Sequence, residues 1–105
     1  MIYVVATVEL KPGTPAAYLR DFAGLVPKVR AEEGCIEYGP AIDVHTGIAA
    51  QMPFRANTVT IMEKWESLAH LKEHLAQPHM AEYRRRVKDY VAGSSLQILE
   101  PAPVR

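Results

Sequence analysis

The stretch from Thr58 to Val91, TVTIMEKWESLAHLKEHLAQPHMAEYRRRVKDYV, constrains the fold more than any other part of this chain. Val59, Ile61, Glu63 and Trp65 alternate with Thr58, Thr60, Met62 and Lys64, a period of two that marks a strand with unlike faces. Glu63 therefore shares a face with Trp65, the single tryptophan. Ser67 is a suitable N-cap, and Leu68, Leu71 and Leu75 then recur at helical spacing. His70 and His74 lie on one side of that helix, bordering the leucine stripe. Pro78 interrupts the pattern, which resumes through Met80, Tyr83, Val87, Tyr90 and Val91 until Gly93 offers a left-handed stop. A helix broken or kinked near Pro78 is expected, with His79 at the break, where a pocket can open.

The remaining segments complete an alternation of strands and helices. Ile2 to Leu10 is rich in β-branched residues and ends in Lys11-Pro12-Gly13 turn chemistry. Its first half is apolar on both faces, so both need cover. Thr14 followed by Pro15 marks a helix start, and Tyr18, Leu19, Phe22, Val26 and Val29 trace a helical face. That helix is expected to run to about Glu33, to bend near Ala23 and Gly24 because of Pro27, and to close at Gly34. A second strand is expected from Ile36 to Val44, and Pro40 assigns it to a sheet edge or a bulge. Thr46 to Asn57 is long and apolar for a loop, and suggests a short extra strand or a lid carrying Phe54. Ser94 to Leu99 makes the last strand, and Pro101 and Pro103 end it.

The order strand, helix, strand, strand, helix, strand predicts one α+β domain over residues 1–105. Its architecture is a ferredoxin-like split βαββαβ, with a four-stranded antiparallel sheet and the helices on one face. The uncovered face should then meet a second copy, giving a homodimer closed sheet to sheet.

Composition narrows the function. Formal charge is zero, with acidic and basic residues interspersed, which disfavours nucleic acid and anionic membranes as partners. No basic leader, signal-length apolar segment or membrane-length span is present, so a cytoplasmic location is expected. Cys35 stands alone and reads first as a small buried hydrophobe, second as a reactive thiol. His70 and His74, with His79 nearby, resemble a partial metal site. Leu71 occupies the place of the glutamate that follows the first histidine in metalloprotease helices, and no native metal is expected. The run Arg84-Arg85-Arg86 reads as a solvated face complementing the helix dipole. Phosphate loops, GxSxG elbows and CxxC pairs are missing, which argues against nucleotide cofactors, hydrolase chemistry and redox disulfides.

Three runs, EEGCIEYGP (Glu32 to Pro40), MEKWES (Met62 to Ser67) and HLAQPHMAEY (His74 to Tyr83), resemble the antibiotic-biosynthesis monooxygenase family, and within it the bacterial quinol monooxygenases. The resemblance implies a dimeric α/β barrel that oxidises quinols or polycyclic phenols with molecular oxygen, without flavin, haem or metal. It places a small aromatic substrate between helices and sheet. It also carries site roles to Trp65, His74 and His79, and places a basic residue at Arg85. Ile61 and Leu71 stand where one relative has asparagine and tyrosine, so hydrogen bonds of that kind cannot form here. Ala6 stands where the haem-degrading branch needs asparagine, which disfavours haem breakdown.

The residues themselves support phenol chemistry. Triplet oxygen reacts slowly with closed-shell molecules, and deprotonating a dihydroxyaromatic makes it an electron donor. A phenol titrates near pH 10 and histidine near 6.5, so a positioned imidazole is a plausible base. His74 or His79 fits that part, and Glu63 is placed to orient a histidine or bind a second hydroxyl. Trp65, Tyr83 and Phe54 are candidate walls, although a lone tryptophan at a strand end also suits the core. Two alternatives remain open: an isomerase moving protons on a carbonyl or sugar-like substrate, and a non-enzymatic small-molecule binder.

Overall fold

A computed structural model describes residues 1–104. The elements run β1 (Ile2–Leu10), α1 (Pro15–Arg30), β2 (Cys35–Ala41), β3 (Thr58–Trp65), α2 (Leu68–Leu75), α3 (Pro78–Val87) and β4 (Val91–Leu99). The strands form one antiparallel sheet in the order β2-β3-β1-β4, with the helices on one face, as the ferredoxin-like pattern requires. β1 is central, which explains its apolar character.

Period-two alternation sets the core side of the sheet. Val4 and Val8 of β1 and Val59, Ile61, Glu63 and Trp65 of β3 are buried. Against them pack Tyr18, Phe22, Leu25 and Val29 of α1, Leu71 of α2, and Met80 and Val87 of α3. Each such side chain contributes about 1.5–3 kcal/mol by leaving water. Pro40 sits on edge strand β2, whose register also shifts between Cys35 and Glu37. Edge and bulge therefore occur together.

Several boundaries differ from the sequence expectation, each for a local reason. α1 passes through Pro27 but ends at Arg30, three residues short of Glu33. A tight turn replaces the last helical turn, with Glu32 N–H donating to the Val29 carbonyl at 2.9 Å. Thr14 holds the N-cap position, yet its hydroxyl donates backward to the Lys11 carbonyl at 2.7 Å instead of capping. β2 stops at Ala41, because Asp43 leaves the ladder to accept from the Arg55 backbone N–H (3.0 Å) and guanidinium (2.9 and 2.8 Å). The Thr46–Asn57 segment contains no strand.

The helical region divides at Pro78, as expected. Gln77 is extended (φ −66°, ψ 140°), the conformation a following proline favours. α3 ends at Val87, so Tyr90 and Val91 are not helical. Pairing with β1 prevails there: Lys11 N–H donates to the Tyr90 carbonyl at 2.8 Å, and Val91 pairs with Leu10. Gly93 lies within β4 beside Glu9 and has no positive φ, so it is not a helix stop. Gly34 does take the left-handed conformation, at φ +82°, and turns the chain from α1 into β2.

Candidate active site

Between α3 and the sheet lies a cavity of about 520 Å³, within the ~300–1,000 Å³ range of small-molecule sites. Its walls are mainly apolar, with Ala6, Val8, Ile61 and Leu96 on the sheet and Met80 and Val87 on the helix. Glu63, His74, Tyr38 and Tyr83 supply the inner polar groups, and Arg84 and Lys88 the cations.

His74 is 1% exposed, and Trp65, Tyr38 and Glu32 hold its ring. Trp65 lies against it at 4.6 Å between centroids with the rings tilted by 32°, and Tyr38 meets it edge-on at 5.5 Å. Its Nδ1 lies 3.0 and 3.1 Å from the two carboxylate oxygens of Glu32. Its Nε2 lies 3.9 Å from Glu63 Oε1, beyond hydrogen-bond reach. Among the described residues no fully enclosed side-chain nitrogen or oxygen lacks a hydrogen-bond partner, so Nε2 is open to the cavity. Burial lowers the affinity of this imidazole for a proton, while Glu32 opposes that effect and His79 and Arg84 reinforce it.

Glu63 enters the core because its strand face is the core face. It accepts the Trp65 indole N–H at 2.9 Å, and burial pushes its carboxyl up to about 7. Tyr83 and Tyr18 share a hydrogen bond between their hydroxyls. Burial raises both phenols well above the ordinary tyrosine value, and it does the same to Tyr38.

The candidate residues separate into three groups. His74, Glu63, Ile61 and Tyr83 line the cavity together. Trp65 and Leu71 are buried at 0% and 1% exposure behind it, so they form its backing and not its wall. His79, Phe54 and Arg85 lie elsewhere. His79 borders a separate hollow of about 210 Å³, with Asp21, Lys28, Glu82 and Arg86. Phe54 stacks on His45 at 3.7 Å in the β2–β3 loop and is not among the residues that line the cavity. Helical rotation turns Arg85 to solvent and brings its neighbour Arg84 to the cavity instead. His70 is engaged locally, its Nδ1 2.7 Å from the Ser67 hydroxyl.

Glu32, Tyr38 and Arg84 are the site residues that sequence reasoning missed. Glu32 reads as the last turn of a helix, and the EEGC run that contains it is a weak signal by itself. The Glu32 carboxylate also meets His79 Nε2 at 2.8 Å. Among the described residues no three His, Cys, Asp or Glu side chains are arranged to hold a metal ion. Cys35 is half-buried, and burial with the Glu32 and Glu63 charges raises its thiol, which keeps it protonated and weakly reactive.

A small ferredoxin-like domain with a buried histidine and carboxyl group on an apolar cavity defines a class in which sequence relatives are informative. The antibiotic biosynthesis monooxygenase family model matches residues 1–86, and the chain belongs to that family. The chain is 39% identical over 103 residues to the Probable quinol monooxygenase YgiN of Escherichia coli, covering 96% of this chain and 98% of that protein. A crystal structure of a Shewanella oneidensis protein superposes with a TM-score of 0.79 at 26% identity, covering 93% of this chain and 87% of that one. A crystal structure of an antibiotic biosynthesis monooxygenase has a TM-score of 0.82 at 21% identity, covering 98% and 100%, and supports the fold alone.

Proposed function

We propose that this protein is a cofactor-independent monooxygenase that oxidises a quinol or polycyclic phenol with molecular oxygen, with His74 as the general base. The observation that carries the reading is the His74 Nε2, unpartnered and open to an apolar cavity. A phenolic hydroxyl placed there gives its proton to Nε2. The resulting anion, beside the Arg84 cation, passes an electron to oxygen, and the two radicals combine at a ring carbon. The hydroperoxide then loses water, leaving one oxygen atom on the ring. For a simple phenol, ArOH and O2 give a quinone and H2O, so no external reductant is required. Glu63, titrating near neutrality, is suited to supply a proton to the departing water.

The proposal includes a homodimer and a cytoplasmic site of action. Support for the dimer comes from the sheet face opposite the helices, where Val5, Met62 and Leu99 join Tyr3 beside a shallow apolar depression. The deciding experiment is oxygen consumption by metal-stripped protein given a chemically reduced naphthoquinol, corrected for spontaneous oxidation. Protein-dependent uptake that His74→Gln abolishes is the expected result. Proton exchange on a carbonyl substrate without oxygen uptake would move the protein to the isomerase class, and saturable binding without turnover would make it a binder.

A further inference from the structure

Glu32 is 9% exposed at its side chain and receives two imidazoles from two different helices. His74 of α2 approaches through Nδ1, and His79 of α3 through Nε2. An ionised carboxylate only accepts hydrogen bonds, so each of these ring nitrogens must carry a proton. We infer that Glu32 is a positioning residue that fixes His74 in its Nδ1–H tautomer, and that His79 is the outer brace that keeps Glu32 in place. This role rests on the reading of His74 as the base.

The argument depends on a competition between two carboxyl groups. A neutral imidazole has one N–H, and for His74 it can point to Glu32 or to Glu63. The first contact is 3.0 Å and the second 3.9 Å, so the proton stays on the Glu32 side. Nε2 then keeps its lone pair toward the cavity. Without Glu32 the Nε2–H tautomer would gain ground, and a ring in that form cannot accept a phenolic proton at Nε2.

His79 matters because one carboxylate at a chain turn is otherwise free to swing outward. It engages Glu32 Oε2 from the solvent side, while its own ring is about one-fifth exposed (21%). The geometry gives the two histidines different work. His74 meets the substrate, whereas His79 acts only through Glu32.

The groups facing His74 are Glu32 from the α1–β2 turn, Tyr38 from β2, Glu63 from β3, and His79 and Arg84 from α3. Of these, Glu32 is the one that raises the proton affinity of the ring, so its removal should move the acid limb of the rate profile to lower pH.

The test is Glu32→Gln, read by nitrogen-15 NMR of labelled histidine and by steady-state kinetics. In the wild-type protein, without substrate, His74 should show a protonated Nδ1 and a bare Nε2. In Glu32→Gln the ring should become a mixture of tautomers. Turnover should fall about tenfold to a hundredfold, the range found when partners that orient metal-bound imidazoles are lost. KM should stay within about twofold, because Glu32 does not touch substrate. Glu32→Asp should recover part of the rate, and His79→Ala should cost less than Glu32→Gln.

A wild-type spectrum with His74 protonated at Nε2 would overturn the inference, as would an unchanged tautomer and pH profile in Glu32→Gln. The wild-type spectrum decides even should the variant fail to fold. A wild-type protein with the expected tautomer but no oxygen uptake on any quinol would sink the oxygenase reading and leave the tautomer assignment standing.

Discussion

At the scale of single residues, the four histidines show how one side chain is set apart by its surroundings. His45 stacks on Phe54, His70 is tied to Ser67, His79 faces the outer hollow, and only His74 opens onto the apolar cavity. Helical spacing in the sequence placed His70 and His74 on one side of α2 but could not choose between them. The choice depends on Glu32, whose contact with His74 spans 42 positions of chain. Glu63 has a consequence that can be measured without substrate. Its carboxyl titrates near 7 when folded and near 4.5 when unfolded, so the native state holds the extra proton between those values. Stability from this group is present at low pH and is lost as pH rises from 4.5 to 7. Glu63→Gln should remove that slope and stabilise the protein above pH 7 by about 2–3 kcal/mol, as read in urea titrations at several pH values. The lowered affinity of His74 acts with the opposite sign below its ordinary value of 6.5, and remains in the variant.

At the scale of elements, the strands and helices were legible because their periods are local, while their ends were not. Hydrophobic period located β1, β3, α2 and the break at Pro78. The end of α1 was misplaced because residues 31–33 continue to look helical. The start of β4 was hidden because Tyr90 and Val91 fit the α3 period until β1 claims them. The α1–β2 turn matters most, since it carries Glu32. Gly34 turns there at φ +82°, and a Cβ at that position would lie 2.2 Å from His70 Cγ. Gly34→Ala should therefore destabilise the protein by about 2 kcal/mol or more, combining the left-handed penalty with the clash. Adding His70→Ala should remove only the ring contacts, because His70 Cβ itself would lie 2.6 Å from the added carbon, so the double variant should recover part of the loss and stay at least about 1 kcal/mol less stable than wild type in the same denaturant titration. Full recovery in the double variant would show that neither the remaining Cβ contact nor the left-handed backbone costs anything.

At the scale of the whole molecule, alternation along β3, the apolar character of β1 on both faces and the order of elements pointed to the ferredoxin-like sheet, because those signals are set by burial on two faces. The family resemblance put a substrate between helices and sheet, but the full lining of the cavity was not legible from the residues. Its walls come from every strand and from α2 and α3, and no pattern within one segment announces such a convergence. Phe54 illustrates the limit, since an apolar loop residue reads alike whether it covers its own site, a partner or nothing. The proposed dimer would bury the face carrying Val5 and Met62, of which Met62 is 44% exposed in the single chain. The pair Val5→Glu and Met62→Lys should yield a folded monomer by sedimentation equilibrium. A wild-type protein already monomeric at high concentration would refute the dimer while leaving the cavity argument intact.

The placement of Trp65 has a use beyond packing. Its indole ring lies against His74 and its N–H on Glu63, and it is the sole tryptophan in the chain. An imidazolium quenches indole emission on contact more strongly than a neutral imidazole does. The protein therefore carries a built-in optical reporter of its candidate base. Fluorescence should dim as His74 gains a proton on the acid side; His74→Gln should keep only the change that follows Glu63, whose carboxyl meets the indole N–H and titrates near 7, and the difference between the two curves gives the protonation state of one buried ring without label or substrate.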